Sequence, residues 1–281
     1  MERGRCPLAL PIPCPHCRKL TPSDAVNCPH CGLLRPAERW GRILFRPDPE
    51  TLIWAAIYAN AALYALSLLL VPRGVGMSAN PLRFLTPSNT SLLLLGATGS
   101  IPIDGLGRWW TLLTAGWLHG GILHLFFNMA ALRQLGPLIQ REYGPSRTVA
   151  LYILGGVAGF LASYAARVPF TIGASAAVCG LIGAALHYGR SRGGVYGGAV
   201  FQQVGGWAVG IFLFGFLVPG INNWAHGGGM AAGFALGHLL GYEERGRERP
   251  WHRWLGGSCV IATALALAWA LATALLVRLS G

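Results

Sequence analysis

The sequence is poor in charge. Of 281 residues only 11% are charged, against 53% apolar and 10% aromatic. Soluble domains carry about 25% charged residues, so an ordinary soluble enzyme is excluded. Acids are scarcest. They fall at Glu2, Asp24, Glu38, Asp48, Glu50, Asp104, Glu142, Glu243, Glu244 and Glu248, and none lies within an apolar run. That absence excludes an aspartyl intramembrane protease, which needs two acids in the bilayer, and argues against a proton-coupled transporter. No histidine is followed by Glu, so a His-Glu-x-x-His metalloprotease is excluded as well. The N-terminus has no short apolar h-region, so no cleaved signal is expected there.

What is present is a series of apolar runs near the length that crosses a bilayer. Seven spans are read at about Leu52–Val71, Leu112–Gly136, Val149–Ala166, Ile172–Tyr188, Val200–Val218, Asn223–Tyr242 and Leu255–Val277, the fifth being Gly-rich. Ser91–Ile103 is apolar but too short to span and belongs to a long first loop. The net charge of +12 reflects topology rather than nucleic-acid binding, because the basic residues sit mainly between the runs. With the N-terminus inside, Arg3, Arg5, Arg18, Lys19, Arg35, Arg39, Arg42, Arg46, Arg141, Arg147, Arg190, Arg192, Arg245, Arg247, Arg249 and Arg253 are cytoplasmic. Only Arg73, Arg83, Arg108, Arg167 and Arg278 are external, and Arg133 is left within a span. This asymmetry predicts a cytoplasmic N-terminus and an external C-terminus.

Ahead of the first span lies a polar, Pro- and Arg-rich segment, read as residues 1–46. It holds Cys14-Pro-His-Cys17 and, ten residues on, Cys28-Pro-His-Cys31. Two such knuckles can bring four thiolates onto one tetrahedral metal, the geometry zinc prefers. An iron site or a disulfide pair are the other readings, the disulfide disfavoured in a reducing compartment. His16 and His30 are surplus to a site that four cysteines close. A closed site offers no open position to substrate, so the expected zinc is structural, holding a segment too small for a core of its own. The segment resembles the minimal zinc ribbons of bacterial membrane proteins and offers a docking surface for a cytosolic partner. Cys6, Cys179 and Cys259 show no framework.

The second, fourth and sixth spans run in one direction, so their first turns share one depth. His119, His124 and Asn128 open the second span, Ser175 lies just inside the fourth and His226 just inside the sixth. A serine in an apolar helix can simply bond back to a carbonyl one turn earlier. Here, though, small residues recur beside it, Gly173, Ala176 and Gly180, and on the sixth span Gly229 and Gly233, with four-residue spacing between Ala176 and Gly180 and between Gly229 and Gly233. That spacing lets helix backbones approach closely. Close approach would bring the Ser175 hydroxyl beside the His226 imidazole, the arrangement of a serine activated by a base. His124 and Asn128 share a helix face and, with the Ser175 N–H, can donate to an oxyanion. His119 is read first as a tie between loop and bundle. A metal held by His119, His124 and His226 would lack a supporting carboxylate.

Taken together, the His-x4-His-x3-Asn pattern (His119, His124, Asn128), the Gly-x-Ser pattern (Gly173, Ser175) and the Ala-His-x-x-Gly-x-x-x-Gly pattern (Ala225, His226, Gly229, Gly233) resemble the rhomboid family of intramembrane serine proteases. The resemblance covers roughly residues 50–245. It implies an all-α membrane protein: a six-helix bundle over residues 47–245, an added C-terminal transmembrane helix over 246–281, and the zinc ribbon in front. It implies Ser175 as nucleophile, His226 as general base, no acid member, and His124 and Asn128 as oxyanion donors. It further implies single-pass membrane proteins as substrates, cut near the outer leaflet, with no cofactor for catalysis and residence in a bacterial inner membrane. A catalytically silent escort of membrane clients is the competing reading. Three positions depart from the family pattern. Ala176 follows the serine where Gly is usual, Cys179 stands where an aromatic commonly packs on the histidine, and Trp109-Trp110 is followed by Thr111 rather than Arg, leaving Arg108 to make that loop's contacts. The Gly-rich fifth span and the first loop are the expected mobile gate.

Overall fold

A computed structural model describes residues 11–14, 16–37, 49–79 and 84–280. Arg3, Arg5, Arg39, Arg42, Arg46 and Arg83, counted above for topology, and Cys6 lie outside the described residues. The chain divides into two units, Met1–Leu52 and Ile53–Gly281.

In the first unit two short strands, β1 (Pro11–Pro13) and β2 (Leu20–Pro22), pair antiparallel. The two knuckles repeat one geometry. The Cys14 N–H donates to the Lys19 carbonyl and the Cys28 N–H to the Leu33 carbonyl, both at 2.8 Å. Arg18 and Gly32, each four residues after its cysteine, close the matching turns with N–H bonds back to Cys14 and Cys28.

The second unit is helical, with seven long helices. They are α1 (Pro49–Leu70, which begins at the unit boundary), α4 (Ile122–Tyr143), α5 (Pro145–Ala165), α6 (Ser175–Arg192), α7 (Gly194–Leu217), α8 (Asn223–Leu240) and α9 (Pro250–Ser280). Five of them, α1, α4, α5, α7 and α9, are long and apolar enough to cross a membrane. The protein is therefore an integral membrane protein built as a helical bundle. The two that fall short, α6 and α8, have 18 residues each and are rich in Gly and Ala. For α6 the reason is position. In α6, 13 residues are buried, so the helix is walled in by its neighbours and has little need of bulky lipid-facing side chains. Its Leu181 and Ile182 sit at the centre of the core with Leu132, Leu135, Tyr143 and Leu151.

The second span differs from its sequence reading. Helix α4 starts at Ile122, not near Leu112, because Thr111–Thr114 (α3) and Ala115–Trp117 form separate short turns. It then continues beyond Gly136 through Pro137 to Tyr143, carrying Arg141 and Glu142 within it. Only Gly144 separates it from α5, and only Gly193 separates α6 from α7, so both pairs are antiparallel neighbours.

The first loop holds a hairpin, β3 (Gly76–Met77) with β4 (Phe84–Thr86), and a short helix α2 (Asn89–Leu94) whose Ser88 cap accepts the Ser91 N–H at 3.0 Å. The loop is tied down along its length. Tyr64 of α1 donates to the Leu85 carbonyl at 2.5 Å, and Arg108 to the Leu93 carbonyl at 3.1 Å. Thr114 bonds the Gly96 carbonyl at 2.8 Å. Thr98 pairs with Thr171, just before α6, through N–H···O bonds of 3.1 and 2.7 Å. Asp104 binds Tyr164 and Arg167. Of the two segments expected to be mobile, the loop is thus anchored. Helix α7 is tied at its two ends, where Tyr196 donates to Glu142 at 2.9 Å and the Phe212 carbonyl accepts from Asn223 at 3.3 Å, but between them it buries only one stripe, Gly197, Val200, Val204 and Ala208, of its 24 residues.

The added helix α9 is also integrated. Glu248, in the link before it, accepts the Arg147 N–H at 2.9 Å and the Ser146 hydroxyl at 3.1 Å, capping the start of α5. At its other end Ala274 packs with Leu92, Leu95 and Leu118.

The closest packing joins α6 to α8. A Cβ added to Gly233 would lie 1.8 Å from the Gly180 carbonyl oxygen, and one added to Gly183 would lie 1.9 Å from the Met230 carbonyl oxygen. The obstacles are backbone, so neither helix can yield without moving as a whole. Gly233→Ala is therefore expected to destabilise the protein by about 3 kcal/mol, the upper end for overpacking. Gly206→Ala on α7, where an added Cβ meets nothing within 4 Å, is the control and is expected to be neutral or stabilising. Thermal unfolding in detergent compares the two. Equal midpoints would overturn the packing argument.

Candidate functional site

Ser175 is the first residue of α6 and His226 the fourth of α8. The His226 Nε2 and Ser175 Oγ atoms are 2.9 Å apart, a hydrogen bond between helices 51 residues apart in sequence. The approach follows from the glycines below it. A Cβ on Gly229, one turn after His226, would lie 2.2 Å from the Ala176 carbonyl oxygen. His226 is 5% exposed, and its Nδ1 has no hydrogen-bond partner. Among the described residues, no acid and no second base is hydrogen-bonded to the ring.

Gly173 enters α6 at φ +120°, a conformation that side-chain-bearing residues rarely adopt. Its N–H donates to the Ala115 carbonyl at 2.9 Å. An added Cβ would strike the His124 ring, 2.7 Å from both Cε1 and Nε2, and would lie 3.7 Å from Ser175 Oγ. Gly173 thus leaves room for the imidazole beside the serine. His124 Nδ1 accepts the Gly120 N–H at 3.3 Å. That bond leaves the ring proton on Nε2, the nitrogen facing Gly173 and the serine.

Asn128, one turn further along α4, donates an Nδ2 hydrogen to the His124 carbonyl at 2.8 Å. An amide nitrogen carries two hydrogens, so this bond uses half its donor capacity. His119 precedes α4 and is fully buried. Its ring meets His124 edge-to-face at 5.0 Å between centroids, and neither ring nitrogen has a hydrogen-bond partner. Its link to the site is thus by ring packing, not by the hydrogen bond expected of a loop tie.

Each departure has a place in this geometry. The Ala176 methyl lies in the helix interface with Ala115, Phe160 and Ala225, where a Cβ on Gly159 would meet it at 3.0 Å. Cys179 is buried, and no aromatic ring packs on His226 among the described residues. Arg108 supplies the first-loop contact through the Leu93 carbonyl.

One residue at the site escaped the sequence reading. Asn222 caps α8, its Oδ1 accepting the Ala225 N–H at 3.1 Å. Its Nδ2 donates to Ser163 Oγ at 2.6 Å and to Thr171 Oγ1 at 3.1 Å. The available signal was a helix-capping Asn at the start of an apolar run.

A second cluster lies in the N-terminal unit. The sulfurs of Cys14, Cys17, Cys28 and Cys31 all fall within 4.8 Å of one another. Cys14 to Cys31 is 3.7 Å and Cys17 to Cys28 is 3.8 Å. These separations are too long for disulfides, whose sulfurs sit about 2.05 Å apart. They match the edge of about 3.8 Å that four sulfurs make around an ion at about 2.3 Å. The four thiols are close enough to hold one metal ion.

Comparison with known proteins bears on the membrane unit. Residues 106–243 match the Rhomboid domain family model. RHOMBOID-like protein 4 of Arabidopsis thaliana is 36% identical over 163 residues, covering 57% of this chain and 41% of that protein. Rhomboid protease GluP of Bacillus subtilis is 33% identical over 163 residues, 57% of this chain and 31% of that protein. Inactive RHOMBOID-like protein 8 of Arabidopsis thaliana is 33% identical over 178 residues, 62% of this chain and 50% of that protein. The chain thus spans about a third to a half of these curated relatives. The match takes in Ser175, His226, His124 and Asn128, and with the helical bundle that carries them the chain belongs to the rhomboid family.

Proposed function

We propose that the protein is an intramembrane serine endopeptidase that cuts single-pass membrane proteins with a Ser175–His226 dyad. The observation that carries this reading is the 2.9 Å contact between the hydroxyl and the imidazole, at one end of two tightly packed helices. His226 Nε2 takes the Ser175 proton as Oγ attacks the scissile carbonyl, then delivers it to the leaving amine. Water hydrolyses the acyl-enzyme by the same route in reverse. The negative charge that forms on the carbonyl oxygen meets three kinds of donor. These are the first N–H groups of α6, which have no partner within the helix, the His124 Nε2–H, and the second Asn128 hydrogen. The positive end of the α6 dipole adds to them. No cofactor takes part in this chemistry. The substrate segment must be unwound to react, since a helix shields its own peptide bonds.

The asymmetry of basic residues supports a site near the outer leaflet and a cytosolic N-terminal unit, and on the family resemblance we read the membrane as a bacterial inner membrane. On this reading residues 1–46 are the cytosolic segment, 47–245 the catalytic core and 246–281 an appended helix. The four cysteines hold zinc, whose chemistry matches an all-sulfur tetrahedral set, and the site is structural with a possible docking role for a cytosolic partner. Substrate enters between α4 and α7. A cavity of about 280 Å³ lies between them toward the Arg141 end of α4, away from His124 and the dyad, lined by Leu138 and Arg141 on one side and Tyr196 and Val204 on the other, so the two helices are loosely packed there as well. The silent-escort reading keeps the name-level support of one inactive relative, but a serine hydrogen-bonded to an otherwise unpartnered histidine favours the enzyme.

Three outcomes are expected. A fluorophosphonate probe labels the wild type and not Ser175→Ala, and cleavage of a single-pass test substrate is lost in both Ser175→Ala and His226→Ala. A folded wild type that neither labels nor cleaves would establish the escort instead. The purified chain carries about one zinc per molecule by elemental analysis. Cys14→Ser with Cys31→Ser removes it and opens residues 11–37 to protease, with fluorophosphonate labelling unchanged. Finding iron, or no metal, sinks the zinc assignment. Bridging Leu138→Cys to Val204→Cys with a short bifunctional thiol reagent slows substrate cleavage about tenfold while the small probe still labels. Undiminished cleavage after bridging would remove α7 as the gate.

A further inference from the structure

The dyad joins two helices, and the glycine contact below it fixes how closely they run but not where each begins. Two helices can keep their contact and still slide or rotate, which would carry Ser175 away from His226. Geometry within about 0.5 Å is what catalytic constellations require, so a second tie above the dyad is needed.

Asn222 is placed to supply it. It stands four residues before His226, and its carbonyl accepts the His226 N–H at 3.2 Å. Thr171 stands four residues before Ser175. The bond from Asn222 Nδ2 to Thr171 Oγ1 therefore links the lead-in to the base, one turn before His226, with the extended lead-in to the nucleophile, four residues before Ser175. The other Nδ2 hydrogen reaches Ser163 of α5, a fully buried hydroxyl. Thr171 is in turn held by its backbone pairing with Thr98 of the first loop. The carboxamide orientation is fixed by chemistry, because the Ala225 N–H can only donate and must face Oδ1. All three bonds then use one side chain to full effect: a cap, a strut to α5 and a strut to the segment entering α6. Helix capping alone explains the first bond only, since Ser or Asp would cap as well.

We infer that Asn222 is a positioning residue for the dyad, holding the start of α8 in register with the start of α6. This rests on the dyad reading above. A residue with only a structural role would change how much protein folds, not how fast each folded molecule reacts. A positioning residue changes the rate per folded molecule.

The test uses the full chain in detergent and in liposomes. Asn222→Ser retains a cap acceptor but is too short to reach Ser163 and Thr171. Asn222→Asp retains the cap, and both hydroxyls can rotate to donate to it. Thr171→Val removes one strut from the other side and leaves the cap untouched, so it serves if Asn222→Ser does not fold. For each, the thermal midpoint, the fluorophosphonate labelling rate per folded molecule, and kcat and KM on the test substrate are measured. Asn222→Ser is expected to lower kcat and labelling about ten- to a hundredfold with KM within about twofold, the range a misplacement of about 1 Å produces. Asn222→Asp is expected to recover most of that loss, and Thr171→Val to lose part of it. If the wild type labels at Ser175 and folded Asn222→Ser or Thr171→Val labels equally fast, the positioning role is overturned and the dyad reading stands. If the wild type shows no labelling that depends on Ser175, the dyad reading fails and this inference falls with it.

Discussion

The structure depends on one contact, the backbone-to-backbone approach of α6 and α8. Within a bilayer, lipid tails are as apolar as the side chains, so helices gain little by hiding apolar surface from water and must associate through close packing instead. At Gly229 and Gly233 that packing goes as far as it can, with carbonyl oxygens of the facing helix where a Cβ would be. Every other feature of the core follows from this. Helix α6, thinned of side chains, is enclosed by α4, α5, α7 and α8, while α8 keeps an outer face where Trp224, Phe234 and Leu239 are exposed. The polar groups that the pair brings together are then sealed from lipid by the same neighbours.

A serine bound to a histidine with no acid behind it places unusual weight on geometry. In triads, a carboxylate both orients the imidazole and stabilises its charge. Here the Nδ1 of His226 has no partner, so orientation must come from where the helix starts and how it is held. The absence of acid is itself intelligible. An ionised carboxylate at membrane depth is costly unless it is paired, and the spans of this chain contain no acid near the site. The α6 N-terminus supplies the complementary electrostatic element without any charged side chain, because its first N–H groups point at the position where negative charge would form. On the proposed mechanism, one helix end would present both the attacking hydroxyl and donors for the oxyanion.

Much of this was legible in the sequence, and what was not has physical causes. Seven apolar runs correspond to seven long helices, and the four-residue spacing of small residues foretold the tight pair. The cysteine knuckles were legible because a metal site needs only local spacing. The start of the second span was not. Leu112–Trp117 is as apolar as a helix and does form helical turns, but the chain goes extended at Leu118 (φ −102°, ψ 146°) and again at Gly121 before α4 begins. Hydropathy carries no trace of those breaks. Nor did it show that α6 falls below the usual apolarity of a span, since that follows from its burial. Asn222 was missed for a related reason: a capping residue is a local signal, while its two struts reach residues 59 and 51 positions away. The first loop read as mobile because long loops usually are, and its anchoring by Arg108, Thr98, Thr114 and Asp104 is tertiary.

The departures from the family pattern bear on whether the site is competent, and the geometry separates them. An extra methyl after the serine would be harmful if it projected over the hydroxyl. It projects instead into the seam with Phe160 and Ala225, opposite Gly159, so it adds packing between α5, α6 and α8 at a place where a glycine has made room. The loss of an aromatic at Cys179 is different in kind. It shares a face of α6 with Ser175, four residues along, and no ring compensates for it at His226 among the described residues. The imidazole then has fewer restraints than its relatives with an aromatic there, and the burden passes to the serine hydrogen bond and to the backbone that carries the histidine. That is why the fixing of the α8 N-terminus by Ser163, Thr171 and the Ala225 N–H matters more in this chain than helix capping would in a soluble protein. With less side-chain packing on the ring, the register of the helix is what keeps base and nucleophile in reach.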